Sequence, residues 1–404
     1  MSFENPVNAP AKRPPPIPRD AARHQPQPPP LPTEVLRKKG VEPQVEEALT
    51  WTRANQKEKV VPAFRIPGFD RLDAVMSMEK KNDQKPEAFN EDSALVFDPK
   101  DPRGCLKLAG VLADGAGGEA QGPGDLASEA AVQNAEPLLK KSLAQALTLT
   151  TQDAERKILA HQEKKHGGVI PEVGLPYINE MLPMAMGEDP RIANSAWAAI
   201  EAVKQTQKFV VESGGKTTEN LFLIHETPSG ARYAIVASVG DSPAYVRARD
   251  GSIRQITTED SLLRHLQQKK LITQDDLDQI KADPSLTITV SGQKMSYSQL
   301  RATMVGGLGR DDEQAEPSLA IVRLEPGEAL LVTSDAMDKL ENKYTDSTDT
   351  EVVQHVLAQG KSSIEQLDLL RQVIKNPKLL GKTAERLAAY KSEDDFSGVL
   401  ITAQ

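Results

Sequence analysis

The 404-residue chain has one cysteine, Cys105. A single thiol excludes an intrachain disulfide and any zinc knuckle of paired CxxC spacing, and it suits a reducing compartment. Six histidines are present, but none form an HxxxH or HExxH pair, so imidazole offers no transition-metal centre. There is no surplus of positive charge: 49 Lys and Arg stand against 58 Asp and Glu, a formal net charge of -9. A nucleic-acid face needs clustered Lys and Arg, so no nucleic-acid partner is expected and cationic partners, metal ions included, fit better. Long apolar runs are missing too. Nothing approaches the roughly 20 residues of a membrane helix, and the opening "MSFENPVNAPAKRPPP" lacks the apolar core of a secretory leader. The expectation is a soluble, cytoplasmic protein with no membrane partner, export without a cleavable signal staying open.

What is present is unevenly distributed. Residues 1–60 are dense in proline ("AKRPPPIPRD", "QPQPPPLPTE") and poor in large apolar side chains, which predicts a disordered or polyproline tail. Its "RPPPIPR" could dock an aromatic groove, although such tails more often act as spacers. Residues 61–404 read as globular, and 38% hydrophobic content suffices for a core. "EDSALVFDP" and "LKLAGVLAD" read as strands, as do "NLFLIHET", "ARYAIVASVGD" and "EALLVTSDAMD". "AYVRARDGSIRQIT" reads as a hairpin around an Asp-Gly turn, and "DDFSGVLITAQ" as a last strand. Between about 126 and 212, apolar residues recur three and four apart, which predicts a helical insertion; it or the tail offers a surface for a partner. Two short helices are expected in "TTEDSLLRHLQQKKLITQDDLDQIKADP", and further helices up to about Tyr390.

Four aspartates, Asp114, Asp241, Asp335 and Asp395, border apolar runs. Each alone is an ordinary turn former. Brought together, carboxylates repel and raise one another's pKa, so a cluster calls for a cation. Oxygen donors without paired His or Cys favour Mg2+ or Mn2+.

Six blocks in order carry a resemblance: "NEDSALVFD" (Asn90 to Asp98), "VLADGAGGEAQGPGD" (Val111 to Asp125), "VGDSPAYVRARDGSIRQITTEDSL" (Val239 to Leu262), "MVGGLGRDDEQAEP" (Met304 to Pro317), "EPGEALLVTSDAMD" (Glu325 to Asp338) and "DDFSGVLIT" (Asp394 to Thr402). Together they resemble the signature blocks of the metal-dependent PPM phosphatases, the type 2C protein serine/threonine phosphatases. The resemblance implies an α+β fold, a four-layer α/β/β/α sandwich of two antiparallel sheets flanked by helices. It implies hydrolysis of phosphoserine and phosphothreonine monoesters by a metal-bridging water, with phosphorylated protein as substrate. Two Mg2+ or Mn2+ ions are implied, with a third in some relatives. Asp114 then bridges the two ions and Gly115 gives its carbonyl to the second; Asp335 and Asp395 serve the first, while Glu91 and Asp92 face the second. Asp241 takes a structural role, and Glu212 is the nearest acid for a third ion. The chain departs from the family pattern at Glu87, where relatives commonly place a phosphate-gripping arginine, leaving Lys85 the nearest cation. Ala116, Ala336 and Phe396 also differ from common family residues. A catalytically weak or inactive relative that serves as an interaction module is the alternative. "GGKTT" is not a Walker A loop, because Val210 occupies the position of its first glycine.

Overall fold

The computed structural model describes residues 49–51, 60–66, 68–69, 71–79, 90–116, 123–166, 178–258, 260–273, 306–309, 316–337, 356–358, 362–376 and 395–404, with scattered positions between 275 and 300. The chain divides into two units, Met1–Pro43 and Gln44–Gln404, and every described residue lies in the second.

Two six-stranded sheets dominate. The first runs in the order β1 (Leu49–Trp51), β4 (Ser93–Phe97), β5 (Leu106–Ala113), β8 (Glu219–Glu226), β9 (Arg232–Val239), β14 (Ser318–Leu324). The second runs β11 (Ile253–Gln255), β10 (Ala244–Arg247), β15 (Ala329–Thr333), β16 (Phe396–Ala403), β3 (Leu72–Glu79), β2 (Val60–Ile66). Every neighbouring pair within both sheets is antiparallel. The hairpin β10–β11 turns at Asp250-Gly251 as its sequence predicts, with Gly251 at φ 83°. Strand β1 falls inside the stretch 1–60 expected to be a tail. Pairing therefore starts earlier than that boundary, because Leu49, Thr50 and Trp51, all compatible with a strand, find Val96, Leu95 and Ala94 as partners.

The strand sequences are apolar on both faces because both faces are covered. On β5, Leu108 and Leu112 point between the sheets, where they meet Met76, Met78, Val332 and Val399 of the second sheet. Ala109, Val111 and Ala113 point the other way, toward helices α1 (Gly124–Ala146), α2 (Thr151–His166), α3 (Ile178–Glu188) and α4 (Arg191–Ser213). The outer face of the second sheet, with Val75, Leu331 and Leu400, is covered by α6 (Ser363–Lys375). The short α5 (Leu262–Gln268) joins a smaller cluster with the hairpin β12 (Ile288–Val290) and β13 (Gln293–Met295). The result is the four-layer α/β/β/α sandwich expected. Gly110 is required on β5: a Cβ there would sit 2.3 Å from Cζ of Phe222, its cross-strand partner, whose buried ring takes that space.

At one end of the first sheet a buried polar chain ties α4 down. His225 Nε2 meets Asp189 Oδ2 at 2.9 Å and its Nδ1 meets Ser195 Oγ at 3.2 Å. Arg191 donates from Nε to both oxygens of Asp189 and from Nη2 to Oδ2. The grouping has the composition of a Ser-His-Asp triad, but His225 and Ser195 are both 0% exposed, so no substrate reaches them. Cys105 lies nearby with its thiol donating to Asp101; burial first, then that partner, pushes its pKa up to about 12, and it is inert as a nucleophile.

Candidate metal centre

The acids are gathered by sheet register. Ser93 at the start of β4 pairs with Ala113 at the end of β5, so Glu91 and Asp92, just before β4, reach the same edge as Asp114, just after β5. In the second sheet, Thr333 at the end of β15 pairs with Gly398 near the start of β16, which sets Asp335 beside Asp395. Two hydrogen bonds join the sheets at this edge. Glu91 N donates to Asp395 Oδ2 at 2.5 Å, and Asp335 N donates to Asp114 Oδ2 at 3.0 Å. The structure thus brings Glu91, Asp92, Asp114, Gly115, Asp335 and Asp395 to one place. Lys85 and Glu87 lie outside the described residues.

Asp114 is held from several directions. Its N–H donates to Thr218 Oγ1 at 3.1 Å, and its carbonyl accepts from Thr217 Oγ1 and Thr218 N, both at 2.8 Å. Ser242 Oγ donates to its carboxylate at 3.4 Å and meets Thr218 Oγ1 at 2.7 Å. Gly115 continues into the two-residue strand β6 (Gly115–Ala116), paired with β7 (Lys216–Thr217). A Cβ on Gly115 would lie 2.3 Å from the carbonyl oxygen of Gly124 and 2.4 Å from that of Glu91. Backbone crosses backbone there, and only glycine fits.

Electrostatically the centre is strained. Asp92 is buried, and burial first, then the Asp114 and Asp395 charges, raise its pKa well above the usual carboxylate range. The part that comes from the neighbouring charges is the repulsion expected of clustered acids, and a divalent cation would offset it. All the donors are oxygens. The residues therefore fit hard divalent ions. Among the described residues no three His, Cys, Asp or Glu side chains form a closed ligand set, so the fit is one of donor chemistry and shared edge. Asp241 is buried in the turn before β10, where Gly240 at φ 100° packs against the side chain of Thr218. Glu212 on α4 is exposed and sits 3.9 Å from Lys208.

Hydroxyl residues were not among the expected site residues. Ser242, Thr217 and Thr218 hold Asp114, and Ser397, which exchanges hydrogen bonds with Ser334, links β16 to the end of β15. Their one sequence signal is position: each adjoins an aspartate-bearing or glycine-rich block.

No protein-family model matches the chain, and no curated protein matches it. Solved structures do. The S. agalactiae serine/threonine phosphatase matches at 16% identity over 82% of this chain and 100% of that one, with a TM-score of 0.47. The PPM Ser-Thr phosphatase MsPP from Mycobacterium smegmatis, in complex with cacodylate, matches at 18% identity over 82% and 98%, with a TM-score of 0.42. The catalytic domain of the serine threonine protein phosphatase PstP, in complex with two manganese ions, matches at 17% identity over 82% and 97%, with a TM-score of 0.39. None of the geometry above depends on these likenesses.

Proposed function

We propose that the chain is a cytoplasmic metal-dependent protein phosphatase of the PPM type, hydrolysing phosphoserine and phosphothreonine monoesters of a phosphorylated protein with two Mg2+ or Mn2+ ions. One observation carries the reading: Asp395 accepts from Glu91 N and Asp114 accepts from Asp335 N, so acids drawn from both sheets meet at one edge beside the buried Asp92, a grouping that a cation would stabilise. Divalent ions bound there would supply an acidified water and offset the charge of the phosphate oxygens. On this reading Asp114 would serve both ions, the Gly115 carbonyl the second, Asp335 and Asp395 the first, and Glu91 and Asp92 the second. None of these side chains bonds covalently to phosphorus. Ser242 and Thr218 orient the Asp114 group, and Asp92 is buried beside it.

The test compares wild type with Asp114→Asn and Asp335→Asn for Mn2+ binding and for hydrolysis of p-nitrophenyl phosphate and a phosphothreonine peptide. Both substitutions are expected to weaken metal binding and lower turnover, on the order of a hundredfold or more for Asp114→Asn. A second reading, an interaction module that keeps the fold without the chemistry, is favoured by Glu87 standing where the resemblance places an arginine. A folded wild type that binds Mn2+ and turns over neither substrate would select it.

A further inference from the structure

A phosphate monoester approaching five carboxylates needs a cation from the protein as well as from bound metal. We propose that Lys216 supplies it, as the side chain that binds the phosphoryl oxygens of the substrate. The inference rests on the phosphatase reading for its substrate class, but its geometry stands separately.

The β6–β7 ladder fixes where Lys216 points. Ala116 pairs with Lys216 and Gly115 with Thr217, and the bond from Thr218 N to Asp114 O extends the same register by one residue. Directly opposed residues of an antiparallel pair project to one face, and residues two apart share that face. Asp114, Ala116, Thr218 and Lys216 therefore line a single face, the one that carries the Asp114 carboxylate. Ala116 is small, so nothing beside Lys216 on the opposing strand blocks its stem.

The backbone of Lys216 is held on its other side as well. Thr217 exchanges hydrogen bonds with Leu308 at 3.3 and 2.8 Å, and Gly309 N donates to Gln207 Oε1 at 2.9 Å. A Cβ on Gly309 would lie 2.1 Å from the carbonyl oxygen of Gly215, so the 306–309 segment packs directly on the strand. The base of the side chain is thus fixed.

Charge completes the case. Lys216 is half-buried, and its side chain has no ion pair or hydrogen bond with any described residue. By contrast Lys165 is paired with Asp260 at 2.6 Å. An ammonium that no acid among the described residues neutralises, on the face of Asp114, is matched to a phosphate dianion as a compact donor of three N–H groups. It also occupies the role that Glu87 cannot fill.

The experiment measures binding of inorganic phosphate to Mn2+-loaded wild type, Lys216→Met, Lys216→Arg and, as a surface control, Lys208→Met, alongside Mn2+ affinity, thermal stability and steady-state turnover. For Lys216→Met the expectation is about a 10- to 100-fold loss of phosphate affinity and a matching rise in KM, with Mn2+ affinity and melting temperature unchanged. Lys216→Arg restores most of the binding, and Lys208→Met equals wild type. Equal phosphate affinity in wild type and Lys216→Met overturns the proposal, as does a wild type that binds no phosphate. Lys216-dependent phosphate binding without turnover leaves Lys216 as the anion contact and removes the phosphatase reading instead.

Discussion

Glu219 offers a quantitative check on how the first sheet is covered. It opens β8 with its side chain on the helix face, fully buried, meeting only Thr206 Oγ1 on α4 at 3.5 Å; among the described residues its Oε2 has no hydrogen-bond partner. Burial raises its pKa from 4.5 to about 8, which the Thr206 contact offsets only in part. The folded protein therefore keeps the proton at neutral pH, whereas the unfolded chain releases it. A raised folded-state pKa contributes stability that is complete below the unfolded value of 4.5 and is lost as pH rises through about 8. A shift of that size spans roughly 5 kcal/mol, of which about 3 kcal/mol is already lost at neutral pH. Glu219→Gln keeps the volume and removes the titration. Urea unfolding of both proteins between about pH 5 and about pH 9 isolates the effect in their difference, because every other titrating group is shared. The two should match at the acid end, and the variant should gain over wild type with rising pH until the difference levels off near the folded pKa. Parallel profiles across the range would refute the assignment of Glu219 as a buried neutral acid.

Gly115→Ala should cost at least tenfold in Mn2+ affinity, read by titration calorimetry, because its Cβ would strike two carbonyl oxygens that cannot yield. Gly187→Ala on α3, where a Cβ meets nothing within 4 Å, should leave metal binding intact and stabilise by up to about 1 kcal/mol. His225 has its pKa lowered by burial, so its contribution is present above the ordinary value of 6.5 and is lost as pH falls through the depressed one. Melting temperatures of His225→Gln should fall less steeply with acid than those of wild type, while the broken contacts to Asp189 and Ser195 lower stability near neutral pH by about 1–3 kcal/mol.

The parts of this architecture legible in the sequence were those with local signals. Three-and-four spacing marked α1, α2 and α4, and "LKLAGVLAD" marked a doubly buried strand ending on Asp114. Nonlocal matters were not legible. Nothing in "LTW" marks it as an edge strand, because its partners lie more than 40 residues away. "GGKTT" was readable only as a rejected nucleotide loop; its real place, opposite Gly115 and Ala116, depends on α4 returning the chain to the end of β5. Asp114, Asp335 and Asp395 stood out as acids against apolar runs. Ser242, Thr217 and Thr218 did not, since an uncharged hydroxyl carries no pattern until its partner is known.

The bond from Glu91 N to Asp395 Oδ2 joins residues 304 positions apart. It also sets a schedule. Strand β16 lies between β15 and β3, so the second sheet stays split until residues 396–403 insert. A chain still being made can assemble the first sheet and its helices, with Asp92 and Asp114 in place, long before Asp395 has been synthesised. Loops closed over such separations form slowly, and that half of the acid cluster therefore waits, without its cross-sheet partner, from the completion of β14 at Leu324 until Asp395 is made. Ribosome-bound chains halted before Asp395 should expose that half to metal without gaining the complete centre, so competence arrives with a single late strand.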